Sequence, residues 1–132
     1  MRLSQILCAA GPVDAVTNQA LAWRAQFRQW GWEGDDFSAS MLPEMRRQLR
    51  PLSELESGSS DLVLVHYSGY DPGVERVFER GDRTLLLSHN VTPAKWFWPY
   101  EPVAGVWCTL GREQLQCNAH GRQSELGDVR CP

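Results

Sequence analysis

Three largely apolar runs in the chain have no helical period and predict β-strands. They are Leu3–Ala10, Leu62–Val65 and Leu85–Leu87. Strands that are apolar at most positions are typical of parallel sheets, in which helices cover both faces. We therefore expect the last run, Leu85–Leu87, to be buried on both faces.

A helical period follows the first run. Asp14 is placed to cap this helix, because its carboxylate can accept hydrogen bonds from the free N–H groups of the first turn. Gly31 marks the C-terminal end. An apolar stripe recurs at spacings of four and three and is expected to pack on the sheet, with Arg24 and Arg28 on the other faces. The stripe consists of Val16, Ala20, Trp23, Phe27 and Trp30.

The order of the later elements predicts a parallel crossover. Val74, Val77 and Phe78 mark one side of a short helix between the second and the third apolar run. A strand–helix–strand unit of this kind builds doubly wound sheets. We therefore predict an α/β fold with a Rossmann-like, mostly parallel sheet and flanking helices.

Weaker patterns give three further expectations. Trp32–Ala39 predicts a second strand, and Asp35 and Asp36 are expected to lie in a solvated turn, since neighbours on a strand point to opposite faces and suit no acid–base pair. The aromatic segment Lys95–Tyr100 is expected to pack into a gap, with stacking on a sugar or lipid as the alternative. Leu110–Leu115 predicts a helical turn, and a polar tail follows it.

Length and composition are typical of a single globular domain. The 132 residues leave room for one domain, and a hydrophobic fraction of 42% excludes wholesale disorder. The net charge of −3 gives no basic footprint for nucleic acid. No apolar run approaches the roughly 20 residues that span a bilayer, so we expect a cytoplasmic protein. The cysteines form no CxxC pair and are expected to be free thiols rather than zinc ligands.

Two of the predicted strands end in similar polar clusters. His66, Tyr67 and Ser68 follow the second apolar run, and His89 and Asn90 come soon after the third. In open α/β sheets the carboxyl ends of the strands form the rim where ligands bind. For either histidine alone, a satisfied strand-end side chain is the simpler interpretation. Two strands that end alike indicate a shared site.

Several common motifs are absent from the sequence. There is no GxGxxG or GxxxxGK[ST] motif, which argues against a dinucleotide oxidoreductase and a P-loop enzyme. There is no GxSxG elbow either, so a small hydrolase that uses the two histidines is the least supported interpretation. The loop from Gly11 to Asp14 joins the first strand to the first helix, where helix N–H groups can face a phosphate.

Four blocks of sequence resemble, in the same order, the N-terminal half of a bacterial glycosyltransferase. They are GPVDAVTNQAL (11–21), DLVLVHYS (61–68), SHNVTP (88–93) and GREQL (111–115). The resemblance is to the retaining, two-lobed GT-B type of family 4, which includes sucrose synthases and many polysaccharide mannosyl- and glucosyltransferases. It covers residues 1–115, and the tail 116–132 fits poorly.

The resemblance implies that residues 1–132 form one Rossmann-like lobe that binds the acceptor. The nucleotide-sugar donor would be held mainly by a second lobe, which these residues do not contain. We therefore expect the chain to be incomplete as an enzyme without a second lobe in cis or in trans. The acceptor would be a glycan or a lipid-linked sugar, handled close to a membrane surface. No metal and no cofactor besides the donor is implied.

The resemblance also implies roles for individual residues. The backbone carbonyl of His66 would stabilise the positive charge that develops on the donor sugar, and His89 would act on the same rim. Gly11 matches the turn that approaches the donor diphosphate, although Pro12 beside it has no N–H group. The other implied substrate-binding residues are Asp14, Asn18, Tyr67, Ser68, Asn90, Thr92 and Arg112.

A function of a different class fits the same sequence. An orphan lobe without catalytic activity would bind a glycan or a protein partner through the aromatic patch from Trp96 to Tyr100. The glycosyltransferase needs a partner lobe with a nucleotide pocket opposite His66 and His89, whereas the binding module needs nothing further.

Overall fold

Five parallel strands form one sheet in the order β3-β2-β1-β4-β5. The computed structural model describes residues 1–121. The strands are β1 (Leu3–Ala10), β2 (Asp36–Met41), β3 (Arg50–Pro51), β4 (Leu62–Tyr67) and β5 (Thr84–Ser88). The predicted α/β class with a Rossmann-like sheet is confirmed, and β1 has the predicted bounds.

The strand order creates a switch point between β1 and β4. From β1 the chain moves outward to β2 and β3, and it then returns to the other side of β1 to form β4 and β5. The connections that leave β1 and β4 therefore run in opposite directions. In sheets of this kind they leave a crevice at the carboxyl ends of the two strands.

Within residues 1–121, three α-helices flank the sheet, and the ends of the first carry the predicted signals. The helices are α1 (Ala15–Gln29), α2 (Pro72–Glu79) and α3 (Pro102–Gly121). Asp14 caps α1, because its carboxylate accepts a hydrogen bond from the Thr17 N–H at 2.7 Å. Gly31 follows the helix with a φ of +75°, a left-handed conformation that favours glycine. Both predictions are confirmed.

α1 packs on one face of the sheet, and α2 and α3 pack on the other. On the first face, Ala20 and Phe27 of α1 are buried in clusters with residues of β1 and β4. Trp30 was expected in the same stripe, but it is the C-cap residue of α1 and is 57% exposed. The cluster on the second face includes Ile6, Val63, Val65, Tyr67, Val74, Val77 and, half-buried, Leu115.

A buried ion pair lies under α1, on what we expected to be its solvent face. The Arg24 guanidinium donates to Asp36 Oδ1 at 2.7 Å and to the Leu3 carbonyl at 2.8 Å. Arg24 is 4% exposed and Asp36, the first residue of β2, is 6% exposed. The expectations of a solvated Arg24 and of a solvated turn at Asp36 are therefore wrong. Pairing and hydrogen bonding compensate for the burial of both charges.

Strand β5 is less buried than its sequence suggests. Within residues 1–121 it pairs with one strand, β4, and it lines an open groove on the α1 face. Leu85 is 55% exposed, and Leu86 and Leu87 are half-buried. The expectation of burial on both faces is wrong, because an edge strand can be as apolar as a central one. The second strand is also shifted, since β2 begins at Asp36 and not at Trp32.

α3 is longer than the predicted turn at Leu110–Leu115, and an aromatic segment precedes it. Trp96 is 65% exposed and Tyr100 is 88% exposed. The expectation that this segment packs into a gap is therefore wrong for the rings of Trp96 and Tyr100. Trp98 packs against α3 at Gly105. The contact is so close that a Cβ added to Gly105 would lie 2.7 Å from the Trp98 ring.

Tyr67 fastens α3 to the sheet. Its side chain is fully buried, and its hydroxyl lies 2.9 Å from the Gly111 carbonyl and 2.6 Å from Gln114 Oε1. Burial raises the pKa of Tyr67, so the hydroxyl keeps its proton and remains a donor. The helix approaches closely here, since a Cβ on Gly111 would lie 2.9 Å from the Tyr70 nitrogen.

Removing this hydroxyl should loosen α3. We expect Tyr67→Phe to lower the free energy of unfolding by about 1–3 kcal/mol, because the one proton that the hydroxyl offers to two buried acceptors on α3 is lost. Urea unfolding followed by tryptophan fluorescence measures the change. Tyr100→Phe is the matched control, since Tyr100 is exposed, and it should change stability by less than about 0.5 kcal/mol. Equal effects in the two variants would contradict this account of Tyr67.

The cysteines differ from one another. Cys8 and Cys108 are free, whereas Cys117 is disulfide-bonded. The expectation of free thiols is therefore wrong for Cys117, and Cys131, like most of the predicted polar tail, lies outside the described residues. No helix within residues 1–121 is long and apolar enough to cross a membrane.

Candidate functional site

The rings of His66 and His89 form a hydrogen-bonded pair at the carboxyl end of the sheet. His66 is the last residue but one of β4, and His89 directly follows β5. Nδ1 of His66 lies 3.0 Å from Nε2 of His89. The backbone also holds the pair together, since the His89 N–H donates to the Tyr67 carbonyl at 2.8 Å. Adjacent parallel strands thus bring the two histidines into contact.

The two rings meet edge to edge and not face to face. Their planes differ by 15° and their centroids are 5.2 Å apart. When a hydrogen bond lies in the plane of both rings, the distance between the ring centroids equals the N–N distance plus one ring radius on each side. The observed centroid distance is close to that sum. The lone pair of one nitrogen therefore points at the N–H of the other, which is the favoured hydrogen-bond geometry.

A buried glutamine, which the sequence analysis missed, holds the inner ring of the pair. Gln5 lies in β1, is fully buried, and places Oε1 2.9 Å from His66 Nε2. Its Nε2 donates to the Ala20 carbonyl and to Asp36 Oδ1, both at 2.9 Å. Both ring nitrogens of His66 therefore have partners. The signal for Gln5 is an amide side chain inside a strand that is otherwise largely apolar.

Burial keeps His66 neutral. The residue has no exposed surface, and the Trp23 ring packs beside it with centroids 5.4 Å apart. Desolvation, followed by the proximity of His89, lowers the pKa of His66 from 6.5 to about 4. At neutral pH His66 therefore carries one ring proton. His89 is half-buried, so it is the member of the pair that a ligand can reach.

The carbonyl oxygen of His66 is enclosed within the sheet. It accepts a hydrogen bond from the Cys8 thiol, with an S–O distance of 3.7 Å. Burial raises the pKa of Cys8, so the thiol keeps its proton. The role that the resemblance implies for this carbonyl, beside a donor sugar, stays a prediction, because the oxygen is covered in this conformation.

The loop after β1 forms hydrogen bonds within itself. The Gly11 N–H donates to Thr17 Oγ1 at 3.2 Å, and that hydroxyl donates to Asp14 Oδ2 at 2.6 Å. Asn18 is exposed in the first turn of α1. Since the Gly11 amide is paired and Asp14 places a carboxylate at the helix N-terminus, both features oppose direct contact between this loop and a diphosphate.

Three of the predicted substrate-binding residues surround the histidine pair in the chain. Ser68 is half-buried just beyond β4, and Asn90 and Thr92 are exposed just beyond His89. Asn90 has a φ of +64°, which asparagine tolerates better than most residues, and its N–H donates to Ser88 Oγ at 3.4 Å. This part of the rim thus offers hydroxyl and amide groups.

The other two predicted residues have contacts within the fold. Tyr67 and His66 are adjacent in β4, so their side chains lie on opposite faces, and the Tyr67 hydroxyl faces α3. Arg112 of α3 donates to the Val91 carbonyl at 2.6 Å. The structure does not bring Tyr67 to the rim, and it gives Arg112 a role in holding the segment after β5.

A separate groove on the α1 face is a poor candidate for the chemical site. Its volume is about 530 Å³. It is lined by Met1, Leu3, Trp23, Gln26, Phe27, Trp30, Trp32, Leu62, Leu64, Leu85, Leu86 and Leu87. Apart from Gln26, the lining side chains are mainly apolar, so the groove has few groups that can fix the orientation of a polar ligand. Trp23 lines this groove and also packs on His66.

The chain matches no protein-family model, no curated protein and no solved structure. The interpretation of the rim therefore rests on its geometry and on the sequence blocks described above. Within residues 1–121, no group of three or more His, Cys, Asp or Glu side chains is arranged to hold a metal ion. The rim presents hydrogen-bond donors and acceptors, which suit a ligand rich in hydroxyls.

Proposed function

We propose that the chain is the acceptor-binding lobe of a retaining glycosyltransferase that uses a nucleotide-sugar donor. One observation carries the proposal. The paired histidines His66 and His89 lie at the carboxyl ends of two adjacent parallel strands, beside the switch point of a doubly wound sheet. Ligands bind outside this edge of open α/β sheets. The sequence blocks that contain these histidines support the same assignment.

The chemistry of the rim suits a sugar. Hydroxyl groups both donate and accept hydrogen bonds, and the His89 ring, the Asn90 amide and the Ser68 hydroxyl supply matching groups. None of these side chains is fully buried. These donors and acceptors can orient such a ligand through its hydroxyl groups.

The proposal makes catalysis conditional on a second lobe. That lobe, in cis or in trans, would hold most of the donor, and transfer to a glycan or a lipid-linked sugar would take place in the cleft between the lobes, in the cytoplasm and near a membrane. The lobe described here would hold the acceptor and the near side of the donor sugar.

A titration followed by NMR tests the proposal on the chain itself. Methyl α-glucoside, methyl α-mannoside, UDP-glucose and GDP-mannose would be added in turn to ¹⁵N-labelled protein. We expect at least one sugar ligand to shift the amide signals of Gly69, His89 and Asn90, with UDP and GDP alone as controls for the nucleotide. Unchanged signals at this rim with all four ligands would contradict the proposal.

Asn90 offers a sharper test because of its backbone. Glycine accepts a positive φ as readily as asparagine does, so Asn90→Gly removes the side chain without backbone strain. We expect this variant to weaken sugar binding about tenfold, which corresponds to about 1.4 kcal/mol and the loss of one good hydrogen bond. Gln29→Ala, at the far end of α1, is the control and should leave the affinity unchanged. Equal affinity for Asn90→Gly and the unmodified chain would remove Asn90 from the site.

A non-catalytic binding module is the second candidate, and the exposed aromatic patch favours it. The rings of Trp96 and Tyr100 are open to solvent, and exposed rings of this kind stack on sugars and on protein surfaces. The same titration separates the two functions. Shifts confined to the indole signals of Trp96 and Trp98, with a silent histidine rim, would favour the module.

A further inference from the structure

The hydrogen bonds behind the histidine rim begin at a buried carboxylate. Asp36 Oδ1 accepts from Arg24 and from Gln5 Nε2. A carboxylate whose partner is an arginine is ionised, and an ionised carboxylate only accepts hydrogen bonds. Asp36 can therefore only be an acceptor in this network, and the groups that contact its Oδ1 must donate to it.

That direction fixes the orientation of the Gln5 amide. Its Nε2 lies 2.9 Å from Asp36 Oδ1 and 2.9 Å from the Ala20 carbonyl, and both of these oxygens are acceptors. The reversed amide would place its own oxygen against these two acceptor oxygens and leave that buried oxygen without a donor, which is costly. Gln5 Oε1 must therefore face His66.

The Gln5 oxygen in turn selects one tautomer of His66. A carbonyl oxygen can only accept, so His66 Nε2 carries the ring proton and donates to it at 2.9 Å. Because the buried ring is neutral, Nδ1 has a lone pair and no proton. The proton between the two rings consequently belongs to His89 Nε2, 3.0 Å away.

We infer that Gln5 is a positioning residue that sets the tautomers of both histidines, so that neutral His89 donates inward from Nε2 and presents Nδ1 as a hydrogen-bond acceptor at the rim. Every donor in the series points toward Asp36. Among the contacts of residues 1–121, Nδ1 of His89 has no hydrogen-bond partner, and the ring is half-buried. Aligned bonds of this kind polarise one another, which strengthens the acceptor.

The inference also states what kind of group the rim prefers. An acceptor at His89 Nδ1 takes an O–H or N–H group of a ligand and rejects a carbonyl or ether oxygen at the same place. The assignment of that group as a sugar hydroxyl rests on the proposed function. The tautomers themselves do not depend on it.

Ring ¹⁵N NMR of the full, ligand-free chain at neutral pH tests the inference directly. Long-range ¹H–¹⁵N correlations show which nitrogen of each imidazole carries the proton, and a His120→Gln variant removes the signals of the third histidine. We expect a protonated Nε2 and an unprotonated Nδ1 in both His66 and His89. A protonated Nδ1 in His66, or in neutral His89, would overturn the inference.

Two glutamine variants identify the residue that sets the tautomers. Gln5→Met removes the oxygen that faces His66, and we expect both histidines to lose their single tautomer and show averaged ring signals. Gln114→Met is the matched control, because Gln114 is a buried glutamine that is hydrogen-bonded to Tyr67 and, among the described side chains, to no histidine. It should leave both tautomers unchanged. An unchanged pattern in folded Gln5→Met would exclude a positioning role, and the spectrum of the unmodified chain decides the tautomers whether or not this variant folds.

The result is separable from the proposed function. The expected tautomers without any sugar binding would keep the inference and remove the glycosyltransferase proposal. Sugar binding at the rim with a protonated His89 Nδ1 would do the reverse.

Discussion

Replacing Arg24 with alanine is expected to lower the free energy of unfolding by about 3–5 kcal/mol. The side chains of Arg24 and Asp36 are each 4% exposed, so the variant leaves a buried carboxylate without its counter-charge. It also removes the donor to the Leu3 carbonyl. Chemical denaturation at neutral pH measures the loss.

The same change at an exposed ion pair provides the control. Arg50 and Glu54 are about half exposed, at 50% and 48%, so Arg50→Ala should cost much less stability than Arg24→Ala. The double variant Arg24→Met with Asp36→Leu removes both buried charges. It should recover most of the stability, apart from the acceptor that Gln5 loses. A loss below 1 kcal/mol for Arg24→Ala would show that the pair is not buried in solution.

Stability should fall by about 3 kcal/mol between pH 6.5 and pH 4 because of His66. The pKa of His66 is lowered from 6.5 to about 4 in the folded chain. Within this interval the unfolded state binds a proton that the folded state excludes, so the free energy of unfolding decreases as the pH falls. Above pH 6.5 both states are neutral, and below about pH 4 both are protonated, so the contribution is flat on either side. Denaturation midpoints across this range measure the slope.

A variant without the titrating ring isolates this contribution. His66→Asn is less stable, because Gln5 and His89 lose their partner, but its stability should change less steeply between pH 6.5 and pH 4. The comparison of slopes removes the effect of carboxylates that titrate near the lower end of the interval. Parallel slopes in the two proteins would contradict a lowered pKa for His66.

Elements with strong local signals were predicted from the sequence. β1 was placed correctly because an eight-residue run with a following Gly-Pro leaves few alternatives. The start of α1 was found because Asp14 has a short-range partner three residues away, in Thr17. Such signals depend on neighbours in the chain, which a sequence displays directly.

The buried polar network could not be predicted in this way. Arg24, Asp36, Gln5 and His66 come from four different elements, and each is an ordinary polar residue in its own segment. Their burial follows from the packing of α1 over β1, β2 and β4. The exposure of Leu85 is a tertiary effect of the same kind, since the place of β5 at the edge depends on the strand order.

The candidate site was predictable in part. His66 and His89 were placed together because parallel neighbouring strands end at the same edge, and the structure pairs their rings. Tyr67 was assigned to the same site, although the alternation of side chains along a strand separates it from His66. The alternation of side chains along β4 therefore predicted that Tyr67 lies on the opposite face from His66, and the resemblance to a glycosyltransferase led away from that prediction.

The two edges of the sheet differ in their capacity to accept another strand. β3 has two residues, and one of them is Pro51, which has no N–H to donate. β5 has five residues and no proline, so each of its residues keeps a backbone N–H group. The short length of β3 and its proline thus oppose strand addition by another chain at that edge, and neither feature is present in β5. β3 therefore protects its edge of the sheet against self-association through strand addition.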